Sequence, residues 1–269
     1  MIIIAKINND KYYTPPDLAK YIVTKTKEII GEENITEYIE PSAGAGVFLN
    51  YLDKPYLAYD IEPEDDRIIK QDYLELDLPY KKGRCIIGNP PYGRGNSLSM
   101  AFYKKSIKLG DYISFISPIS QYQNNIQLYD FDLIYSEDLK ERIFTDRKLH
   151  CCFNIYKRPE NGLNKKPNYK LKDVKIIEYR RGERTKIPDG YDYAMGAFGA
   201  GCVGKEVDYM GKYASECYFY IRNPRLKDKI LTLLKNTDWK NMSKGISNTY
   251  RLPQWKIFKY LKEQISGIE

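Results

Sequence analysis

Short apolar segments alternate with amphipathic helical segments through the first 156 residues of this 269-residue chain. The apolar runs are short and are bounded by Gly, Pro, Asp or Asn, which is typical of strands rather than helices. Strands are predicted over 36–40, 55–61, 67–72, 85–88, 111–118, 131–135 and 149–156. Strands that alternate with helices favour an α/β fold, so we predict a doubly wound, mainly parallel sheet.

Two helices of this part carry recognisable ends. Thr14 is predicted to cap the first helix, with Pro15 in its first turn and Gly31 closing it. A second amphipathic helix is predicted over 97–110, where a glycine again follows the last apolar position.

The composition changes at residues 157–170, "KRPENGLNKKPNYK", which lack apolar periodicity and are rich in Lys, Asn and Pro. Such a stretch is typical of a linker or surface loop. We therefore predict a first domain over 1–158 and a smaller C-terminal region over 159–269. Strands at 174–180 and 216–222 and helices at 224–235 and 253–262 are predicted in that region.

Charge and cysteine content narrow the functional classes. The 43 Lys and Arg exceed the 36 Asp and Glu by seven, which favours a polyanionic partner, although a mildly basic surface also aids solubility. The five cysteines form no CxxC pair and the chain has one histidine, so we expect no metal site and reduced, mostly buried thiols. No apolar run reaches the length of a membrane span or a signal peptide, so we expect a soluble, cytoplasmic monomer.

A glycine cluster in the C-terminal region partly matches a phosphate-binding loop. Residues 199–205 read "GAGCVGK", but Glu206 stands where that loop needs Ser or Thr for Mg²⁺. A carboxylate there would repel phosphates, so the pattern favours a tight glycine hairpin over a nucleotide site. A third interpretation is a flexible loop that brings Lys205 to a DNA phosphate.

The stretch "YIEPSAGAGVFL" predicts a ligand loop after the first strand. The strand ends at Glu40, and Gly44 and Gly46 allow the backbone to approach a ligand before helix-forming residues. Asp60 ends the next strand, where a carboxylate can accept hydrogen bonds from ribose hydroxyls, and Asp72 ends the third. Each acid alone is more simply a solvated turn residue, but three polar strand ends in succession indicate a binding edge.

The fourth strand, "CIIG", runs into Asn89-Pro90-Pro91-Tyr92 at the same predicted edge. Two prolines fix the backbone direction, so the Asn89 side-chain oxygen and the Pro90 carbonyl become two fixed acceptors. Such a pair suits an aromatic amino group, because hydrogen bonds from both amino protons free its lone pair for attack. Tyr92 adds a face for base stacking. The competing interpretation is a proline stop after a strand.

In these motifs the chain resembles the S-adenosylmethionine-dependent DNA adenine-N6 methyltransferases of the gamma motif order. The matching stretches, in the order of that family, are "YYTPPDLAKYIV", "EPSAGAGVF", "YDIEP", "QDYLE", "GNPPYG" and "IFTDRKLHCCFNIY". They cover roughly residues 12–156. The resemblance implies a Rossmann-like methyltransferase core, S-adenosyl-L-methionine as cofactor and double-stranded DNA as partner, with a C-terminal target-recognition region that is shorter than in many relatives.

The resemblance also implies roles for single residues. Thr14 and Glu40, with the Ala43 and Gly44 backbone, would bind near the methionine part of the cofactor. Asp60 would hold the ribose, and Asp72 with Tyr73 would surround the adenine. Asn89 and Pro90 would bind the target amino group under a base stacked on Tyr92. Phe144 matches a second base-contacting aromatic, for which Phe153 competes and a buried core position is the alternative.

Two other functional classes stay open from the sequence. Asn-Pro-Pro-Tyr also occurs in enzymes that methylate RNA guanine or protein glutamine, and a degenerate methyltransferase fold can serve as a non-catalytic nucleic-acid-binding module. The intact acceptor pair argues against a pure binding module, and the N-terminal segment and basic C-terminal region favour DNA. The DNA recognition sequence stays open, as does the role in restriction–modification, phage self-protection or regulation.

Overall fold

The computed structural model describes residues 12–145, 147–182, 188–243 and 250–269. The chain divides into two compact units, Met1–Lys166 and Pro167–Glu269. This division lies beyond the predicted one at 158, because residues of the predicted linker still bond to the first unit. Arg158 Nη2 donates to the Gly110 carbonyl at 3.0 Å, and Asn164 Nδ2 donates to Asp132 Oδ1 at 2.8 Å.

A seven-stranded sheet forms the centre of the first unit. Its strands are β1 Glu37–Glu40, β2 Tyr56–Asp60, β3 Ile69–Lys70, β4 Arg84–Gly88, β5 Tyr112–Pro118, β6 Asp132–Phe144 and β7 Arg147–Lys157. Their order is β3-β2-β1-β4-β5-β7-β6, and β7 runs antiparallel to both of its neighbours while β1 to β5 pair in parallel. The predicted mainly parallel sheet is confirmed.

The two outermost pieces of this sheet differ from the prediction. The third strand shrinks from 67–72 to two residues at the sheet edge. The predicted strands 131–135 and 149–156 are instead the halves of one long hairpin of β6 and β7. The extension was hidden because residues 136–143 are mostly charged or polar and stay partly exposed, so they lack the apolar alternation that marks a strand.

One long helix covers each face of the sheet. Helix α1 spans Pro16–Ile30, and its Thr26 hydroxyl meets the Ser114 hydroxyl of β5 at 2.6 Å. Helix α2 spans Ser97–Ser106, and its Phe102 shares a core with Ile113 of the same strand. Neighbouring residues of a strand point to opposite faces, so α1 and α2 lie on opposite sides, as double winding requires. Short 3-10 helices lie at Glu32–Asn34, Phe48–Tyr51, Tyr73–Glu75, Arg94–Asn96 and Ile119–Gln121.

Helix α1 begins one residue later than the sequence predicts. Pro15 is the capping position, and no side chain caps the helix. The predicted cap, Thr14, instead accepts a hydrogen bond from the Asn89 side chain. The Thr14 hydroxyl is therefore directed to the sheet edge and not to the helix.

The second unit pairs a small antiparallel sheet with three helices. The strands are β8 Val174–Arg180, β9 Tyr193–Gly196 and β10 Ser215–Ile221, in the order β8-β10-β9. The helices are α3 Lys227–Asn236, α4 Trp239–Met242 and α5 Gln254–Gln264, and a 3-10 helix precedes α3 at Pro224–Leu226. Met195, Phe219, Ile230, Trp239 and Phe258 share its core. β9 was not predicted, because the glycine-rich sequence beside it is typical of turns and not of strands.

The whole excess of positive charge lies in the second unit. Residues 167–269 hold 20 Lys and Arg against 12 Asp and Glu, a net charge of +8, and residues 1–166 hold 23 against 24. A polyanion would therefore be attracted mainly to the smaller unit.

The described part of the chain was searched for membrane-spanning helices and for groups of metal-binding side chains. There, no helix is long and apolar enough to span a membrane, and no group of three or more His, Cys, Asp or Glu is placed to hold a metal ion. All five cysteines are free thiols, four of them buried and Cys202 partly exposed.

Candidate active site at the carboxyl edge of the sheet

Polar residues follow three adjacent parallel strands at one edge of the sheet. Glu40 ends β1, Asp60 ends β2, and Asn89 follows the last residue of β4. β1 pairs with β2 on one side and with β4 on the other, both in parallel. The structure therefore brings these three predicted site residues to a common edge, where open α/β sheets bind their ligands.

The Asn89 side chain is held from two directions. Its Nδ2 donates to Thr14 Oγ1 at 3.2 Å, and its Oδ1 accepts from the Tyr92 hydroxyl at 3.0 Å. These two bonds fix which end of the amide carries the acceptor. Among the hydrogen bonds of the described residues, none uses the Pro90 carbonyl, so both predicted acceptors can still receive a donor: Asn89 Oδ1 through its second lone pair, Pro90 through its carbonyl.

Tyr92 is more enclosed than an open stacking platform. It is 9 % exposed, and its hydroxyl lies 3.4 Å from the Cys151 thiol of β7. Burial raises the pKa of Tyr92 well above its usual value and the pKa of Cys151 to about 11. Both groups are therefore neutral near pH 7, and the Tyr92 hydroxyl can act as a donor to Asn89. A stacked base would require part of the present cover to move.

Asp60 anchors the glycine loop that follows β1. Its Oδ2 accepts from the Gly44 amide at 2.7 Å, and its Oδ1 accepts from the Glu62 amide at 2.8 Å. Gly44 and Gly46 have φ of +54° and +73°, in the left-handed region that favours glycine. Each carboxylate oxygen keeps a further lone pair, so the same side chain can also accept from ribose hydroxyls. The helix-forming residues after the loop form only the short 3-10 helix at Phe48–Tyr51.

Glu40 is a buried carboxyl group with an unsatisfied oxygen. Its Oε2 has no hydrogen-bond partner among the described residues. Burial, and then the neighbouring carboxylate of Asp60, raise the pKa of Glu40 well above the usual carboxyl value, and Arg67 only partly opposes them. A buried polar atom without a partner is costly. The arrangement therefore suits a ligand that brings a cationic or hydrogen-bonding group to this oxygen.

The two residues predicted around the cofactor's adenine, Asp72 and Tyr73, make contacts within the protein. Asp72 caps the 3-10 helix at Tyr73–Glu75 by accepting from the Leu74 amide at 2.8 Å, which leaves its other oxygen for a ligand. Tyr73 is buried in the core, where its ring stacks on Phe102 with centroids 5.2 Å apart and its hydroxyl meets Ser106. No ring surface of Tyr73 faces a ligand, so we do not carry this residue into the proposed site.

A segment of three residues, Tyr12–Thr14, crosses this edge and was not predicted as a unit. The Tyr13 hydroxyl donates to Glu64 Oε1 at 2.5 Å, and its ring lies 3.6 Å from where a side chain at Gly44 would begin. The Tyr13 amide donates to the Thr145 hydroxyl at 2.9 Å. The segment thus ties the glycine loop to the tip of the β6–β7 hairpin. Sequence analysis missed Tyr13 and Cys151 because their partners lie far away in the chain.

The residues predicted to contact DNA, other than those of the Asn89 turn, are two buried phenylalanines and one exposed lysine. Phe144 and its competitor Phe153 are both completely buried, so either ring would contact a base only after a rearrangement. Lys205 is exposed in the second unit and stays a predicted phosphate contact.

The glycine cluster before Lys205 forms a tight loop and not a phosphate cradle. The amides of Cys202 and Val203 bond to the Gly199 carbonyl, the Gly204 amide bonds to the Gly196 carbonyl of β9, and the next element after the cluster is strand β10.

Comparison with known proteins gives a likeness of fold. No protein-family model matches the chain, and no curated protein matches it by sequence. The Pyrococcus horikoshii protein PH1948, provisionally described as an RNA methyltransferase, is 13% identical over 57% of this chain and 89% of that one, with a TM-score of 0.45. The 23S rRNA methyltransferase ErmE is 13% identical over 58% and 72%, with a TM-score of 0.44.

A third solved structure is a Burkholderia thailandensis 1,6-didemethyltoxoflavin-N1-methyltransferase with bound S-adenosylhomocysteine. It is 12% identical over 54% of this chain and 78% of that one, with a TM-score of 0.40. All three scores lie below 0.5, so the function of this chain has to be inferred from its own site.

Proposed function

We propose that this chain transfers a methyl group from S-adenosylmethionine to N6 of adenine in a short DNA sequence. The observation that carries the proposal is the prepared acceptor at the end of β4. Thr14 and Tyr92 hold the Asn89 amide with its oxygen available, beside the Pro90 carbonyl. A pure binding module has no use for two rigid acceptors at one point, whereas an exocyclic amino group has two protons to place there.

The residues at the neighbouring strand ends fit the cofactor. S-adenosylmethionine supplies an electrophilic methyl group on a positively charged sulfonium, and its methionine part carries an ammonium group. The buried, unpaired Oε2 of Glu40 and the carboxylate of Asp60 form an acidic corner that suits this positive charge. Asp60 would accept from the ribose hydroxyls, and the free oxygen of Asp72 would accept from the adenine amino group.

The acceptor pair acts more strongly in the transition state than in the ground state. The target nitrogen gains positive charge as it attacks, so hydrogen bonds from its protons to Asn89 Oδ1 and the Pro90 carbonyl strengthen. The same two bonds orient the lone pair toward the methyl group. Duplex DNA hides this amino group in the base stack, so the adenine has to leave the helix before it can reach the pair.

DNA is proposed as the substrate on two grounds. The resemblance of residues 12–156 is to DNA adenine-N6 enzymes, including the N-terminal Thr-Pro segment, whose Thr14 contacts Asn89 in this structure. The second unit carries a net charge of +8, which suits a polyanion. The cellular setting that goes with this proposal is the cytoplasm.

The test offers labelled S-adenosylmethionine with duplex DNA, RNA or protein to the wild type and to Asn89→Ala. We expect transfer to DNA, and a loss of about 10²–10³ in single-turnover rate for Asn89→Ala at saturating DNA, by analogy with removing one preorganised partner. Asn89→Asp keeps an acceptor and should lose less. Cofactor affinity should stay close to that of the wild type.

The matched control is Asn161→Ala, an exposed asparagine of the predicted linker, which should keep full activity. Transfer to RNA or protein but not to DNA would show that the substrate is wrong. Transfer by Asn89→Ala at the wild-type rate would show that the turn merely ends the strand.

A further inference from the structure

The β6–β7 hairpin projects beyond the edge where the acceptor pair lies. Cys151 of β7 pairs with Pro118, the last residue of β5, so Arg147–His150 and the matching end of β6 have no further strand beside them. Four residues at about 3.3 Å each give an overhang of about 13 Å. β5 alone separates β4 from β7, so the hairpin lies about 10 Å to the side of the Asn89 turn.

The outer surface of this overhang carries an exposed isoleucine. Ile143 is 63 % exposed, whereas the next residue, Phe144, is completely buried. Isolated exposed apolar residues are common and usually need no explanation. This one differs in its position, because it stands at the tip of a hairpin that overhangs the candidate active site.

Cations lie on both faces of the hairpin next to Ile143, with Lys148 on its own face and Arg142 on the opposite face. Lys148 pairs with Ile143 across the hairpin and its side chain is 67 % exposed, and Arg142 precedes Ile143 with its side chain 43 % exposed. Their carboxylate partners, Glu141 and Asp17, are themselves on the surface, so screening by solvent leaves these ion pairs weak and exchangeable. The hairpin tip therefore combines an exposed apolar side chain with exposed cations, which suits duplex DNA, a polyanion with an apolar interior.

Thr145 and Arg147, at the end of the hairpin, are both hydrogen-bonded to the N-terminal segment. Thr145 accepts from the Tyr13 amide at 2.9 Å, and Arg147 Nη1 donates to the Tyr12 hydroxyl at 3.1 Å. Below the tip, the Asp138 carboxylate accepts from the Lys140 amide at 2.8 Å and holds Lys140 at a φ of +61°. A side chain on such a support keeps its position when it meets a resisting surface.

We propose that Ile143 is a wedge that enters the duplex where the target adenine leaves and occupies the vacated space in the base stack. This inference rests on the proposed function, because only a flipped base leaves such a space. Apolar side chains inserted between base steps compensate part of the lost stacking, and cations beside them hold the adjacent phosphates.

The experiment compares Ile143→Ala with Ile134→Ala on two DNA substrates. Ile134 is 39 % exposed on the same strand but at its opposite end, near the Asp132–Lys157 pair, and serves as the matched control. The first substrate is a duplex site that the wild type methylates. The second is the same site with an abasic position opposite the target adenine, so that the adenine is already unpaired.

On the paired duplex we expect Ile143→Ala to methylate roughly tenfold more slowly than the wild type, because unstacking costs a few kcal/mol that the wedge partly offsets. On the abasic duplex it should match the wild type. Ile143→Leu should restore most of the rate on the paired duplex, and Ile134→Ala should match the wild type on both.

Equal loss on both substrates, or no loss on the paired duplex, would overturn the wedge while leaving the methyltransferase proposal intact. A changed oligomeric state of Ile143→Ala in size-exclusion chromatography would assign the residue to a contact between copies and also overturn it. If the wild type methylates no duplex at all, so that the first substrate cannot be found, the proposed function itself is overturned.

Discussion

The Asn89 side chain is already held in the conformation that the proposed reaction requires. The Thr14 hydroxyl accepts from one end of its amide and the Tyr92 hydroxyl donates to the other. A free asparagine would have to select this rotamer and this orientation of the amide during each reaction. Preorganisation removes that cost before the transition state forms, which is how hydrogen-bonding groups contribute most to catalysis.

Glu40 leads to a prediction about pH. The pKa of Glu40 is raised in the folded, cofactor-free protein. Between the usual carboxyl pKa of about 4.3 and this raised pKa, the folded state therefore holds a proton that the unfolded state has released. A cationic cofactor favours the ionised carboxylate and would expel this proton. The affinity for S-adenosylmethionine should therefore increase as pH rises, by up to about tenfold per pH unit for one proton.

Calorimetry across a pH series checks this, with proton release read from buffers of different ionisation enthalpy. Glu40→Gln should flatten the dependence, and Glu62→Gln, an exposed neighbour at the same edge, should keep it. The raised pKa of Glu40 also determines how the stability of the cofactor-free protein depends on pH. The stabilisation by protonated Glu40 is complete below the unfolded pKa and is lost as pH rises through the folded pKa. An affinity independent of pH would show that Glu40 does not ionise on binding.

At the scale of elements, α1 is attached to the sheet through a buried pair of hydroxyls. Thr26 Oγ1 donates to the Ile22 carbonyl at 2.7 Å and lies 2.6 Å from Ser114 Oγ of β5, and both side chains are buried. The contact holds α1 against β5, and Thr14 lies two residues before Pro16, the first residue of that helix. The helix thus links the packing of the sheet to the conformation of the acceptor.

We predict that Thr26→Val destabilises the first unit by about 1–3 kcal/mol, because it leaves the Ser114 hydroxyl buried without this partner. The double variant Thr26→Val with Ser114→Ala should recover most of the loss, since both polar groups are then absent. Urea unfolding followed by circular dichroism measures both. Strictly additive losses in the double variant would show that the two hydroxyls do not depend on each other.

At the scale of the whole molecule, charge and chemistry are divided between the two units. The first unit is close to neutral and carries the acceptor pair, while the second carries a net charge of +8. Electrostatic attraction would then favour contact between the proposed DNA substrate and the second unit. Binding of this kind weakens steeply with salt, because each phosphate contact releases a counterion.

Lys205 is predicted to make one such contact. Lys205→Ala should weaken DNA binding and lower the magnitude of the slope of log affinity against log salt by about 1, while the turnover at saturating DNA stays unchanged. Fluorescence anisotropy of a labelled duplex over a KCl series measures the slope. The control is Lys25→Ala on α1, whose ammonium pairs with Glu28 at 2.9 Å. An unchanged slope for Lys205→Ala would remove this residue from the DNA surface.

The central strands of the sheet and the residues that follow them could be predicted from the amino-acid sequence. Apolar runs and the turn residues that end them are local properties, so Glu40, Asp60 and Asn89 could be placed at one edge without any coordinates. The Asn89-Pro90-Pro91-Tyr92 turn could likewise be predicted, because proline fixes the backbone whatever surrounds it.

The hydrogen bonds of those residues could not be predicted, because they depend on how the chain packs in three dimensions. Thr14 reaches Asn89 across 75 positions of the chain, and Tyr92 reaches Cys151 across 59. The same packing buried Tyr73 and Phe144 and left Ile143 exposed, although all three read as apolar or aromatic positions in the sequence. Burial and partner choice depend on groups that are distant in sequence, and no local pattern encodes which of them will meet.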